Sequence, residues 1–127
     1  MIESIKTKEN TDNDIAIITI NSTQNNTLLL AKNLQGKHLG ITSLGLALKK
    51  KRGKRSVAMG AQLSSEDIAN KLIDLGYSRL YIKVKGCGRG RESALFALVS
   101  SGLIIEQLMD VTPIPHNGCR QKKSRRI

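Results

Sequence analysis

The densest concentration of chemistry in the sequence is "VKGCGRGRES". Here Gly86, Gly88 and Gly90 alternate with Cys87 and Arg89, with Lys85 in front and Arg91 behind. Glycines let backbone N–H groups approach an oxyanion closely, and the start of a helix adds partial positive charge. Arg89 and Arg91 supply a second layer of donors, so the chemistry these residues suit is phosphate binding. The G-x-G-x-G spacing is not the dinucleotide fingerprint G-x-G-x-x-G, because the third glycine falls one residue early. The Lys-Ser/Thr pair of a P-loop is also missing. Three readings remain: a bare strand-to-helix turn, a site for free nucleotide, and a site for nucleic-acid phosphate. The two arginines favour the last.

Other reactive residues are few. The histidines are His38 and His116. His116 and Cys119 have an H-x-x-C spacing that could supply two metal ligands, whereas a structural zinc site takes four. Cys87 and His38 could in principle complete it, but ordinary turn residues are the better reading, and no metal or cofactor is expected. Cys119 has no orienting carboxylate close in sequence, which weakens it as a nucleophile. No carboxylate pair stands out. The sequence therefore offers no catalytic residue. Its aromatics are Tyr77, Tyr81 and Phe96. Single-strand readers stack bases on exposed rings. Phe96 lies in an apolar helical stretch and is expected in the core, while Tyr81 could face outward, and one ring makes no platform. The expected mode is a grip on backbone and shape.

Charge points the same way. Lys49, Lys50, Lys51, Arg52, Lys54 and Arg55 form one run; Arg120, Lys122, Lys123, Arg125 and Arg126 form another. Together they account for the whole formal charge of +11, the other ten Lys and Arg being matched by ten Asp and Glu. A near-neutral body with two cationic arms is expected, and such arms suit a polyanion. Neither arm carries the large apolar anchors of a membrane-surface helix. No apolar stretch approaches the ~20 residues of a membrane span. Glu3, Glu9, Asp12 and Asp14 oppose a signal or transit peptide, and two cysteines fit a reducing compartment.

These residues need elements to position them. Residues 1–13 read as a loose lead-in, 14–112 as one α/β domain, and 113–127 as an extended basic tail. Asp14–Ile20, Thr27–Lys32 and Leu39–Ser43 read as strands, the last two joined through Gly36, and the first arm occupies roughly Gly45–Ser56. "SSEDIANKLIDLG" reads as a helix capped by Ser64, with Ile68, Ala69, Leu72, Ile73 and Leu75 in its apolar stripe and Gly76 at its end. Arg79–Lys85 alternates as a half-buried strand. "ESALFALVSSG" is a second helix, and Leu103–Met109 a last strand. Opening hairpins imply antiparallel pairing and the closing strand–helix–strand unit implies parallel pairing. A mixed sheet with helices packed on it is expected. In "TPIPHNGC", Pro113 and Pro115 hold the chain extended and Asn117-Gly118 turns it, so the tail leaves along a fixed path.

The stretch "KGCGRGRESALFALVSSGLIIEQLMDVTPIPHNGCRQKKSRR" resembles the C-terminal half of the universal small-subunit ribosomal protein number eleven family, most specifically over Asp110–Arg120. Upstream, "NNTLLLAKNLQGKHLG" and Gly60-Ala61-Gln62 look like its hairpin and helix entry. The likeness covers about Ile15 to Ile127 and is weakest in the lysine-rich loop. It implies a ribonuclease H-like fold without that enzyme's activity. It also implies small-subunit ribosomal RNA as partner, on the platform near the messenger exit, beside neighbouring small-subunit ribosomal proteins. By position, RNA contacts fall on three stretches. The first is Asn25, Asn26 and Thr27 with the Lys49–Arg55 loop. The second is the turn from Lys85 and Gly86 through Gly88, Arg89, Gly90 and Arg91. The third is the tail with Pro113, Pro115, His116, Asn117, Gly118 and its five cations.

The chain departs from the family pattern in its turn, where Cys87 and Arg89 replace prolines, in its lysine-rich loop, and in its acid-containing lead-in. With abundant Ile, Asn and Lys, these suggest an AT-rich genome and a mitochondrial ribosome, with bacterial cytoplasm and plastid as alternatives. Two other classes compete: a small nucleotide-binding enzyme using Gly86–Arg91, and a protein–protein module with basic arms.

Overall fold

The computed structural model of the protein describes residues 13–48 and 58–127. The lead-in up to residue 12 and the Lys49–Arg55 run lie outside the described residues. In chain order the elements are β1 (Ile15–Ser22), β2 (Thr27–Asn33), β3 (His38–Ser43), α1 (Leu44–Leu48), α2 (Ala58–Asp74), β4 (Arg79–Lys85), α3 (Gly90–Ser100) and β5 (Ile104–Asp110). The five strands form one sheet in the order β3-β2-β1-β4-β5. β1 and β3 pair antiparallel with β2, and β4 pairs parallel with both β1 and β5. This is the mixed sheet expected from the order of elements.

Alternation decides which sheet face is covered. Ala16, Ile18 and Ile20 on β1 and Leu80, Ile82 and Val84 on β4 are buried, while Ile17, Thr19, Tyr81 and Lys83 between them are half-exposed. The buried set joins Leu29, Ala31 and Leu44 with Ile68, Ala69 and Leu72 of α2 and Ala94 and Leu98 of α3 in one core. Each fully buried Leu or Ile side chain contributes about 1.5–3 kcal/mol. Small residues let the helices approach: Ala61, Ala94 and Ala97 are buried.

Four details differ from the sequence reading. α2 begins at Ala58, and Ser64 lies inside it. The Ser64 and Ser65 hydroxyls are buried and donate to the carbonyls of Gly60 and Ala61 at 2.8 and 2.9 Å. A serine that bonds four residues back needs no helix end, which is why it mimicked a cap in the sequence. The stripe is also narrower than the sequence suggested. Ile73 and Leu75 are exposed at the C-terminal end of α2. Phe96 is 74% exposed, since α3 buries its Ala94, Ala97 and Leu98 side instead. Finally, Leu44–Leu48 is a short helix at the place where the first cationic arm was expected to begin.

The ending of α2 matches the expectation. Gly76 has φ +88°. Its N–H donates to the Ile73 carbonyl and that of Tyr77 to Leu72, both at 3.0 Å. That pair of bonds closes a helix in the left-handed conformation that glycine supplies without steric cost.

Candidate nucleic-acid interface

Three chain segments leave the same edge of the sheet, and register explains it. Asn21 lies beside Lys85, and Val84 beside Asp110. The parallel strands β1, β4 and β5 therefore end together. Beyond them come the β1–β2 turn, the glycine turn and the tail.

The β1–β2 turn is closed by its own side chains. The Thr23 N–H and hydroxyl both donate to the Asn26 carbonyl, at 2.8 and 3.0 Å. The Thr23 hydroxyl oxygen accepts from the Asn26 N–H at 3.1 Å, and Asn26 Oδ1 accepts from the Thr27 N–H at 3.0 Å. Asn26 is thus spent on building the turn, while Gln24 and Asn25 are exposed.

The glycine turn packs directly against this one. Gly86 has φ +93°, and a Cβ there would collide with the Ser22 carbonyl oxygen. At Gly88 a Cβ would strike the Thr23 carbonyl, and at Gly90 the Thr27 hydroxyl and, at 2.9 Å, Ala61 Cβ. The Gly88 N–H donates to the Ser22 carbonyl at 3.2 Å. The glycines therefore serve first to seat the two turns on each other. Between them lies an open cleft of about 400 Å³ lined by Gln24, Asn25, Cys87 and Arg89. A second open hollow of about 520 Å³ is lined by Cys87, Gly88, Arg89, Arg91 and Glu92. Lys85 and Arg89 are exposed, and among the described residues neither forms an ion pair.

Arg91 has a different environment. Its Nη1 donates to the Gly86 carbonyl at 3.0 Å and its Nη2 to Asp110 Oδ2 at 2.8 Å. Asp110 Oδ1 accepts from the hydroxyl and the N–H of Thr112, at 2.6 and 3.0 Å. The Thr112 hydroxyl oxygen in turn accepts from the Gly86 N–H at 3.2 Å. Hydrogen bonds from Thr112 and then Arg91 hold the Asp110 carboxyl far below the usual carboxylate range. The Val111 N–H donates to the Val84 carbonyl at 2.8 Å, extending the β4–β5 ladder by one residue.

Beyond Thr112 the chain has no regular structure and is exposed to its end. Asn117 takes φ +57°, a left-handed value that asparagine tolerates and that bends the tail before Gly118. Pro113, Pro115, His116, Arg120, Lys122, Lys123, Arg125 and Arg126 are all exposed, and among the described residues none of these cations pairs with an acid. The cysteines are free and exposed. Among the described residues no three His, Cys, Asp or Glu side chains gather as metal ligands, and no helix is long and apolar enough to cross a membrane.

Two expected contact residues lie beneath the surface. Thr27 is 1% exposed, its hydroxyl 3.4 Å from that of Ser22, so its side chain supports the edge from below. Gly90 is buried beside it. The structure sets the Asn25–Thr27 turn against the glycine turn; the lysine-rich loop that the resemblance groups with it lies outside the described residues. Gln24 was missed. The available signal was that parallel strands with matching ends place their following turns side by side.

Fold and edge together define a small α/β domain with cations on one margin of its sheet. The family model described as ribosomal protein S11 matches residues 16–126. The small ribosomal subunit protein uS11 of Parvibaculum lavamentivorans is 41% identical over 123 residues, which span 97% of this chain and 95% of that protein. The chain belongs to the ribosomal protein S11 family.

Proposed function

We propose that this protein is a non-catalytic structural component of the small ribosomal subunit, bound to ribosomal RNA on the platform near the messenger exit side. The observation that carries this reading is the convergence of the β1–β2 turn, the glycine turn and the unpaired cationic tail on one edge of the sheet. Asn25, Lys85 and Arg89 are the contacts on the body, held in place by the Gly86–Gly90 turn. Pro113–Arg126 lies along RNA as an extended strap, and Lys49–Arg55 adds a further grip. Most of these contacts meet phosphate, so binding is strong at low salt and tolerant of sequence. Neighbouring small-subunit proteins are its protein partners. The Ile-, Asn- and Lys-rich usage supports a mitochondrial ribosome with an organellar gene, although the relative described above is bacterial; the location of the gene tests this.

Sedimentation tests the main reading. The protein should travel with small subunits and be released by nuclease or high salt. With roughly 6–10 phosphates neutralised, affinity for ribosomal RNA should fall about 10³–10⁵-fold between 50 and 200 mM salt. A flat salt dependence would exclude the proposal.

A further inference from the structure

We infer that Arg91, Asp110 and Thr112 form a brace that locks the glycine turn to the root of the tail, with Arg91 acting as a positioning residue rather than a phosphate ligand. The inference rests on the RNA-binding reading above and assigns this cluster a role within it. Asp110 is the starting point. A carboxylate at the margin of a surface that meets a polyanion repels its partner, so a cost in affinity must be offset by something. The hydrogen bonds supply that offset. Arg91 reaches from the first turn of α3 to the Gly86 carbonyl and to Asp110. Asp110 holds Thr112, and Thr112 holds the Gly86 N–H. The circuit closes on Gly86, whose two backbone polar groups are both engaged. It ties the segment after β4 to the segment after β5, in the residues immediately before Pro113.

Both donors of the guanidinium that face inward are charge-assisted or satisfy a carbonyl, and its charge is matched by Asp110 at 2.8 Å. Arg89, two residues earlier, is exposed and has no ion-pair partner among the described residues. The two arginines of the turn thus divide the labour. Arg89 faces outward to the partner, and Arg91 fixes the geometry. A turn and tail already held in their bound orientation lose less freedom on association, so the brace raises affinity without touching RNA.

The test exploits a difference in sign. Affinity for a small-subunit ribosomal RNA transcript is measured across salt for the wild type, Asp110→Asn, Thr112→Val, Arg91→Gln and the charge-neutral double variant Arg91→Gln/Asp110→Asn. The brace predicts that each weakens binding by roughly 3- to 10-fold, with parallel salt dependences and a double variant no weaker than the weaker single. In the free protein, amide exchange at Gly86 should quicken in Thr112→Val far more than at the amides of the core strands. If Asp110 is an ordinary surface acid, Asp110→Asn tightens binding and Thr112→Val changes nothing, which overturns the brace and leaves the RNA-binding reading intact. If Arg91 meets phosphate, Arg91→Gln lowers the salt slope by about 0.7–0.9, which also overturns it. Should Asp110→Asn unfold the protein, Thr112→Val, which alters no charge, decides alone. A wild type that ignores the transcript overturns the functional reading and the brace with it.

Discussion

Gly86 shows how one residue can be constrained from two directions. Its φ of +93° and the Ser22 carbonyl oxygen against its missing Cβ leave no room for a side chain. Gly86→Ala should lose about 1–3 kcal/mol, read by denaturant unfolding. The sequence revealed that glycine was required here, but suggested a ligand as the reason; the adjoining turn is the reason the structure supplies. Arg89 belongs to the other kind of residue. Arg89→Gln should leave stability within about 0.5 kcal/mol and reduce the slope of log affinity against log salt by about 1. Asp110 adds a pH signature. Its folded-state value lies below the ordinary carboxylate value of about 3.9, so its contribution is complete above that value and declines as pH falls beneath it. Between pH 4 and pH 2 the melting temperature of the wild type should therefore fall more steeply than that of Asp110→Asn.

At the scale of elements, legibility followed periodicity. Arg79–Lys85 was readable to the residue because a strict two-residue alternation belongs to a strand alone. The helices were readable in kind but less so in face or start. Ser64 looked like a cap because Asp67 stands three residues on, yet its hydroxyl is turned back to Gly60. Ser64→Asp, a near-neutral change at a true cap, should here bury a charge and destabilise the fold by several kcal/mol in thermal melts. Phe96 was misplaced because its hydrophobicity says nothing about which side of α3 meets the sheet. Leu98→Ala should cost about 2–5 kcal/mol and Phe96→Ala within about 0.5, a contrast that one pair of unfolding curves resolves. The brace was illegible for another reason. Arg91 and Asp110 are 19 residues apart, and only the β4–β5 register, shifted between Leu80 and Tyr81, brings them together.

For the whole molecule, counting charges set apart the tail, whose cations are exposed, while the Lys49–Arg55 run lies outside the described residues. What counting could not supply was direction. Replacing the five tail cations by Gln should leave the melting temperature unchanged, since none is paired among the described residues, and should weaken RNA binding at every sequence alike. The same replacement in Lys49–Arg55 should add to it, as measured by titration at several salt concentrations.

The shared polarity of β1, β4 and β5 has a practical corollary. Because β2 runs against β1, the Gly36 hairpin emerges at the far end of the sheet, with the loops at Gly76 and Gly102. All three glycines are exposed with open space where a side chain would stand. A fluorophore or affinity handle attached at Gln35 would sit a full strand length from the working margin. It would let the protein be tracked or captured during subunit assembly while the cationic end stays unencumbered.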